Sequence, residues 1–142
     1  MARGPSSRVL LNRKVIDQML VAVADGASEL ARTVVEVAEP PDATPIGAGL
    51  VTSGGYLTYV NGGKVDGWGQ DGKQPKPPRA AKVRQGVGVV SVVGFGFPGR
   101  FQEFGTVHHA AQPFLTPARD RVMPQASSII VPIVRSRMAR TR

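Results

Sequence analysis

The chain has no cysteine, few aromatic residues and no long hydrophobic run. Without cysteine it has no disulfide, no thiolate nucleophile and no cysteine-based zinc site. Aromatic residues make up 6% of the 142 positions, which leaves little material for stacking the bases of single-stranded nucleic acid. The longest apolar stretch, Val87 to Phe97, is interrupted by glycines and falls short of the ~20 residues that span a bilayer. We expect a soluble protein made in the cytoplasm, with no membrane partner.

Acidic residues are also scarce. Ten Asp and Glu face 18 Lys and Arg, which gives a formal net charge of +8 and favours contact with polyanions, either nucleic acid or an acidic protein surface. One basic segment lies between positions 61 and 84. The other is the C-terminal segment 135–142, predicted to be a basic tail, whose candidate contact residues are Arg135, Arg137, Arg140 and Arg142.

Apolar residues recur at alternating steps of four and three between Arg13 and Ala38. This spacing predicts one face of a long amphipathic helix. The prolines between Glu39 and Pro45 should end it, because proline lacks the backbone donor that a continuing helix needs. The residues of the stripe are Ile16, Leu20, Val23, Ala27, Leu30 and Val34.

Strand patterns follow the helix. Residues Gly54 to Val60 alternate and lead into a tight Asn-Gly turn, and Ala81 to Gly96 is a second candidate strand. Between them, residues 61–80 are rich in Gly, Pro and Lys without periodicity, which predicts a long flexible loop. We expect this loop to act as an extended arm against a neighbouring subunit, with Trp68, Lys73, Lys76 and Arg79 as candidate contacts.

The last predicted element is a helix that starts with Thr116 as N-cap and Pro117 as first helical residue. Pro124 and Pro132 predict a kink in it. The order of helix, strands and helix predicts a single α+β domain over residues 1–142, with a small, mostly antiparallel sheet.

Two glycine patterns resemble phosphate-binding loops but lack their context. Gly94 to Gly99 fits G-x-G-x-x-G, and Gly67 to Gln74 is close to a Walker A loop. Each motif requires a helix directly after the loop to hold the phosphates, and the prolines that follow leave no room for one. We therefore expect no nucleotide cofactor.

The adjacent histidines His108 and His109 lie near Glu103 and suggest a metal or acid/base site. Neighbouring positions do not share a face of a helix or a strand, and the chain has no other histidine. A recognisable nucleophile and a third orienting group are also missing from this part of the sequence. We expect neither a metal site nor an enzyme.

The segment from Phe101 to Ala118 instead resembles the signature of the head-to-tail joining or tail-completion proteins of long-tailed bacteriophages. These proteins have an aromatic residue, then Glu-aromatic-Gly-Thr, a short spacer, and Pro-Phe-Leu-x-Pro-Ala before a C-terminal helix. The matching positions are Phe101, Glu103, Phe104, Gly105, Thr106, Gln112, Pro113, Phe114, Leu115, Pro117 and Ala118.

The resemblance implies a structural protein of the virion neck, assembled in the host cytoplasm. It implies a ring, with six copies expected from the sixfold symmetry of tail tubes, that joins the connector or stopper of the DNA-filled head to the tail. Its partners would be further copies of itself, the neighbouring neck and tail-tube or terminator proteins, and the DNA that passes through without sequence preference. A tail-terminator ring and a small basic DNA-binding protein remain as alternatives.

The residues of the signature also predict a physical role. Phe104 and Phe114 are expected as apolar anchors, each contributing roughly 1.5 to 3 kcal/mol if fully buried. Gly105 permits a backbone conformation that a Cβ disfavours, and Glu103, if buried, needs a backbone or arginine partner. Together these residues predict a corner that positions the last helix on the sheet.

Overall fold

The order of the elements bears out the predicted α+β class. The computed structural model describes residues 13–38, 53–77, 88–96, 103–105, 107, 110–111 and 113–140. Its helices are α1 (Arg13–Val37), α2 (Leu115–Val122) and α3 (Ala126–Arg140), and its strands are β1 (Gly55–Val60), β2 (Gly63–Gly69) and β3 (Val89–Gly94).

The three strands form an antiparallel sheet in the order β2-β1-β3. The β1–β2 connection is the predicted tight turn, with φ of 50° at Asn61 and 85° at Gly62. Positive φ at both central residues is typical of the turn whose twist matches that of a hairpin. Thr58, at the centre of β1, lies opposite Asp66 of β2 and Ser91 of β3.

The predicted flexible arm over residues 61–80 is wrong in its first half, because residues 63–69 are strand β2. The segment after β2 then folds back over a row of three glycines, one on each strand, where the missing side chains leave room for it. A Cβ at Gly55 would lie 2.9 Å from Cδ of Pro75, and one at Gly94 would lie 3.0 Å from Cβ of the same proline. At Gly69 it would collide with the backbone of Lys73.

Helix α1 approaches the other face of the sheet through small side chains, which allow a close contact. A row of hydroxyl groups joins the layers: the oxygens of Ser28 and Thr58 are 2.8 Å apart, and those of Thr58 and Ser91 are 2.7 Å apart. Thr58 is completely buried, and these hydrogen bonds give its hydroxyl the partners without which its burial would destabilise the fold. The buried residues of α1 include Ala22, Ala24, Ser28, Ala31, Val34 and Val35.

The predicted kink in the C-terminal helix is confirmed. A 3-10 turn over Met123–Gln125, which contains Pro124, separates α2 from α3. Helix α3 then packs on α1, where a Cβ at Gly26 would lie 2.9 Å from Cγ2 of Ile130. Pro132 lies inside α3, which continues to Arg140. Most of the predicted basic tail is therefore helical, and residues 141–142 lie outside the described residues.

Candidate functional site

The carboxylate of Glu103 caps the N-terminus of α2 from outside the helix. Its Oε2 accepts the backbone N–H groups of Phe114 and Leu115 at 2.8 and 2.9 Å, and its Oε1 accepts that of Thr116 at 2.9 Å. The Thr116 hydroxyl also donates to Oε1. The first turn of a helix has backbone donors without partners in the helix, and one carboxylate here binds three of them.

This cap corrects the predicted start of the helix. The helix begins at Leu115, with Phe114 in the N-cap position and without a hydrogen bond from its side chain. Thr116 is the second helical residue and Pro117 the third. A proline in the first turn is tolerated because its missing N–H would have had no partner within the helix.

Glu103 is 8% exposed, and its carboxylate has the backbone partners that we expected a buried glutamate to need. Burial by itself raises the pKa of Glu103. The hydrogen bonds from the Thr116 side chain and from the backbone of Leu115, Phe114 and Thr116 outweigh that effect, and the pKa lies below its ordinary value of 4.5. The side chain is therefore ionised at neutral pH and serves as a structural anion.

The two phenylalanines of the signature have opposite environments. Phe114 is 5% exposed and meets Phe95 edge to face at 5.0 Å between ring centroids. Phe104 is 76% exposed, so the prediction that it anchors the core is wrong. Glu103 points into the corner to reach the helix, while the side chain of its neighbour Phe104 remains largely in solvent.

Beside this corner lies an open apolar groove, which we call the corner groove, with a volume of about 680 Å³. It lies between α1, the end of β3 and the start of α2. Helix α1 contributes Ala27, Leu30 and Val34, and the sheet side contributes Val93 and Phe95. The corner contributes Phe104 and Leu115, and the 3-10 turn after α2 contributes Met123.

Of the remaining signature positions, Gly105 has a φ of 77°, a left-handed conformation of the kind that a Cβ disfavours and that its glycine was expected to permit. Ala118 is buried with Phe114 in one apolar cluster, to which Leu115 adds a half-buried side chain. Pro113 is exposed. Phe101, Thr106, Gln112 and both histidines lie outside the described residues.

Of the four predicted arm residues, three lie within the part of the chain that the structure describes. Trp68 lies on β2, half-buried against Tyr56, and the guanidinium carbon of Arg32 is 4.6 Å from the centroid of its indole ring. Lys73 and Lys76 follow β2 and are exposed, and Arg79 lies outside the described residues. Arg32 was missed as a contact residue because it lies between two apolar positions of the helical stripe, Leu30 and Val34.

Tyr56, which contacts this tryptophan, is also fixed by a hydrogen bond. The Tyr56 hydroxyl donates to Oδ2 of Asp66 at 2.9 Å. Burial, followed by this hydrogen bond and the negative charge of Asp66, raises the pKa of Tyr56 to about 12. Tyr56 is therefore neutral at physiological pH, and its hydrogen bond ties β1 to β2.

The corner is built from apolar packing around Phe114 and from the Glu103 cap. Among the described residues, no group of three His, Cys, Asp or Glu side chains is placed to hold a metal ion. None of the helices in the described part of the chain is long and apolar enough to cross a membrane. Comparisons with protein-family models, with curated proteins and with solved structures found no match.

Proposed function

We propose that this chain is a non-enzymatic structural protein of the bacteriophage neck. It forms a ring, expected to contain six copies, that joins the connector or stopper of the DNA-filled head to the tail tube during assembly. The proposal rests on the resemblance of residues 101–118 to head-to-tail joining and tail-completion proteins. The geometry of the corner supports a structural role for this segment, because the buried carboxylate of Glu103 binds the first backbone N–H groups of α2.

The structural observation that supports a ring is the exposed Phe104 beside the corner groove. Large aromatic side chains are enriched at the centres of protein interfaces, where they contribute much of the binding energy. A largely exposed phenylalanine next to an apolar groove of about 680 Å³ therefore has the character of an interface anchor. The Glu103 cap lies directly beside it in the chain and holds the backbone in place.

The occupant that we propose for this surface is a second copy of the chain. A closed ring requires a head-to-tail contact in which one surface of a subunit meets a different surface of the next. The corner groove with Phe104 would supply one of these two surfaces. The neighbouring neck proteins and the tail tube would then contact the faces of the assembled ring.

Electron microscopy of the purified protein, combined with its mass in solution, tests the proposal. We expect closed rings from the unmodified chain, and a folded but unassembled protein from Phe104→Asp. Val107→Asp is the matched control, because Val107 is 95% exposed and does not line the groove. A chain that stays monomeric even in assembled particles would contradict the ring. Equal effects of the two variants would show that the corner groove is not a contact surface of the ring.

A tail-terminator ring is the second candidate within the same class, since it has a similar size and similar partners. Crosslinking in assembled particles separates the two candidates. A contact with the head-side stopper favours the joining ring, whereas contact with the tail tube alone favours the terminator. The net charge of +8 favours a third candidate, a small DNA-binding protein that does not form rings.

A further inference from the structure

The first turns of α1 and the last turns of α3 form a basic surface, which joins part of the predicted basic tail to Arg13 and Lys14. Gly26 lies against Ile130, and Asp25 pairs with Arg137 through a 2.6 Å contact between Oδ2 and Nη1. Arg137 also lines a groove together with Arg13 and Asp17 at the start of α1, so α3 runs antiparallel to α1. Its last turns lie beside the first turns of α1 and bring the basic residues of both ends together.

A groove of about 550 Å³ lies between these helix ends, and we call it the basic groove. Its lining is Arg13, Lys14, Asp17, Gln18, Val21 and Arg137, which is almost entirely charged or amide-bearing. Arg135 and Arg140 lie in the same last turns of α3. These two helix ends therefore carry five cationic side chains against the two carboxylates of Asp17 and Asp25.

Two contacts hold arginines of this surface in place. Asp25 holds Arg137, and the Ser136 hydroxyl accepts a hydrogen bond from Nη2 of Arg140 at 3.1 Å. Less side-chain freedom is then lost on binding than for unrestrained arginines. The guanidinium group is planar and presents several donors together, which suits it to the oxygens of a phosphate group.

The composition of the groove decides between nucleic acid and protein as its ligand. The centres of protein interfaces are depleted in charged residues and enriched in large apolar ones. Among the described residues that line the groove, Val21 alone is apolar. From this lining we infer that the basic groove binds the phosphates of duplex DNA without sequence preference. The inference rests on the proposed function in one respect: the genome that the ring would enclose is the natural source of those phosphates.

Binding of this kind is salt-dependent, because each phosphate neutralised by a cation releases a counterion. The logarithm of the affinity falls with the logarithm of salt concentration by about 0.9 for each such contact. Arg137 is already paired with Asp25, so Arg13 and Lys14 in the groove predict a slope of roughly −2 for each bound copy.

The test measures anisotropy of a labelled 20-bp duplex, a length of about 68 Å at 3.4 Å per step, at salt concentrations from 50 to 200 mM, on the full chain. The groove variant combines Arg13→Gln and Lys14→Gln, which line the groove, with Arg140→Gln in the adjacent last turn of α3. The control variant removes the same charge elsewhere, through Lys73→Gln, Lys76→Gln and Arg121→Gln. We expect the groove variant to bind about tenfold or more weakly with a flatter salt dependence, and the control to change by less than about threefold.

Three results would overturn the inference: no binding by the unmodified chain near physiological salt, equal losses in both variants, or displacement by poly-glutamate as efficient as by unlabelled DNA. The last result would assign the groove to an acidic protein surface. Electron microscopy of the same samples separates the two proposals. Rings without groove-dependent binding contradict this inference alone, and groove-dependent binding without rings contradicts the neck function alone.

Discussion

The two ends of α1 use similar apolar residues in different ways. At the C-terminal end, Val34 and Ala38 are buried together with Phe114, Ala118 and Val122. At the N-terminal end, four apolar side chains are more than a third exposed: Val15 37%, Ile16 38%, Met19 47% and Val21 41%. One periodic pattern thus serves folding at one end and leaves surface for contacts at the other. Substitutions at the C-terminal end should reduce stability, and those at the N-terminal end should leave it nearly unchanged.

The largest expected effect is that of Phe114→Ala, at the buried end of the comparison. It removes a side chain that is 5% exposed and its edge-to-face contact with Phe95. We expect the free energy of unfolding to fall by about 3 kcal/mol, measured by urea denaturation. Phe104→Ala removes the same side chain from an exposed position and should change stability by less than about 0.5 kcal/mol. Comparable losses in the two variants would mean that Phe104 is part of the core.

Glu103→Gln tests what fixes the buried end. The variant loses the negative charge and keeps one oxygen, with an amide group facing backbone donors. We expect a loss of about 2 kcal/mol in the free energy of unfolding at neutral pH. Thr116→Ala removes only the hydroxyl donor to this carboxylate and should cost less, about 1 kcal/mol.

The same variant predicts a pH dependence. The pKa of Glu103 in the folded protein lies below its ordinary value of 4.5. The ionised carboxylate therefore stabilises the fold above the unfolded-state pKa, and this contribution is lost as pH falls through the lower folded-state value. The stability gap between the unmodified chain and Glu103→Gln should narrow on acidification below pH 4.5. A gap that stays constant with pH would show that the charge has no part in the cap.

Gly26→Val probes the point where α3 crosses α1, between the two ends. Its side chain would collide with Ile130, whose Cγ2 lies 2.9 Å from the position of a Cβ. Overpacking of this kind costs about 1 to 3 kcal/mol, which thermal unfolding would detect. Gly63→Val is the control, because the nearest atom to a Cβ there is 3.6 Å away. A tolerated Gly26→Val would mean that α3 does not press on this glycine.

The smallest effect is expected for Met19→Ser, at the exposed end. Met19 is 47% exposed, so little apolar contact is lost within the subunit. The free energy of unfolding should change by less than about 0.5 kcal/mol in urea denaturation. A loss of 2 kcal/mol or more, the size expected for burial in a core, would break the distinction between the two ends of α1.

The elements that could be predicted from sequence are those with local causes. The spacing of apolar residues predicted α1, the Asn61–Gly62 pair predicted the hairpin turn, and Pro124 predicted the kink. Strand β2 was missed because its glycines, lysine and aspartate show no alternation of apolar residues. Strand β2 is held by its pairing with β1 and by the contact between Trp68 and Arg32, a residue that lies far from it in sequence.

The corner could be predicted only in part for the same reason. Rules for helix caps consider residues adjacent to the helix, and they selected Thr116. The actual cap, Glu103, lies 11 residues before Phe114, whose N–H it accepts. The environment of Phe104 was also beyond local rules, because no periodic pattern in this segment indicates which side chains face inward. The basic groove was missed because it joins residues from opposite ends of the chain.

The row of hydroxyls through Ser28, Thr58 and Ser91 has a consequence for the uniqueness of the fold. A helix that lies on a sheet through alanines and other small side chains could slide or rotate with little change in apolar contact. In each displaced arrangement at least one of these hydroxyls would be buried without a hydrogen-bond partner, which would reduce the stability of the fold by about 1 to 3 kcal/mol. The hydroxyl row therefore favours one position of α1 on the sheet over positions that are slightly shifted or rotated.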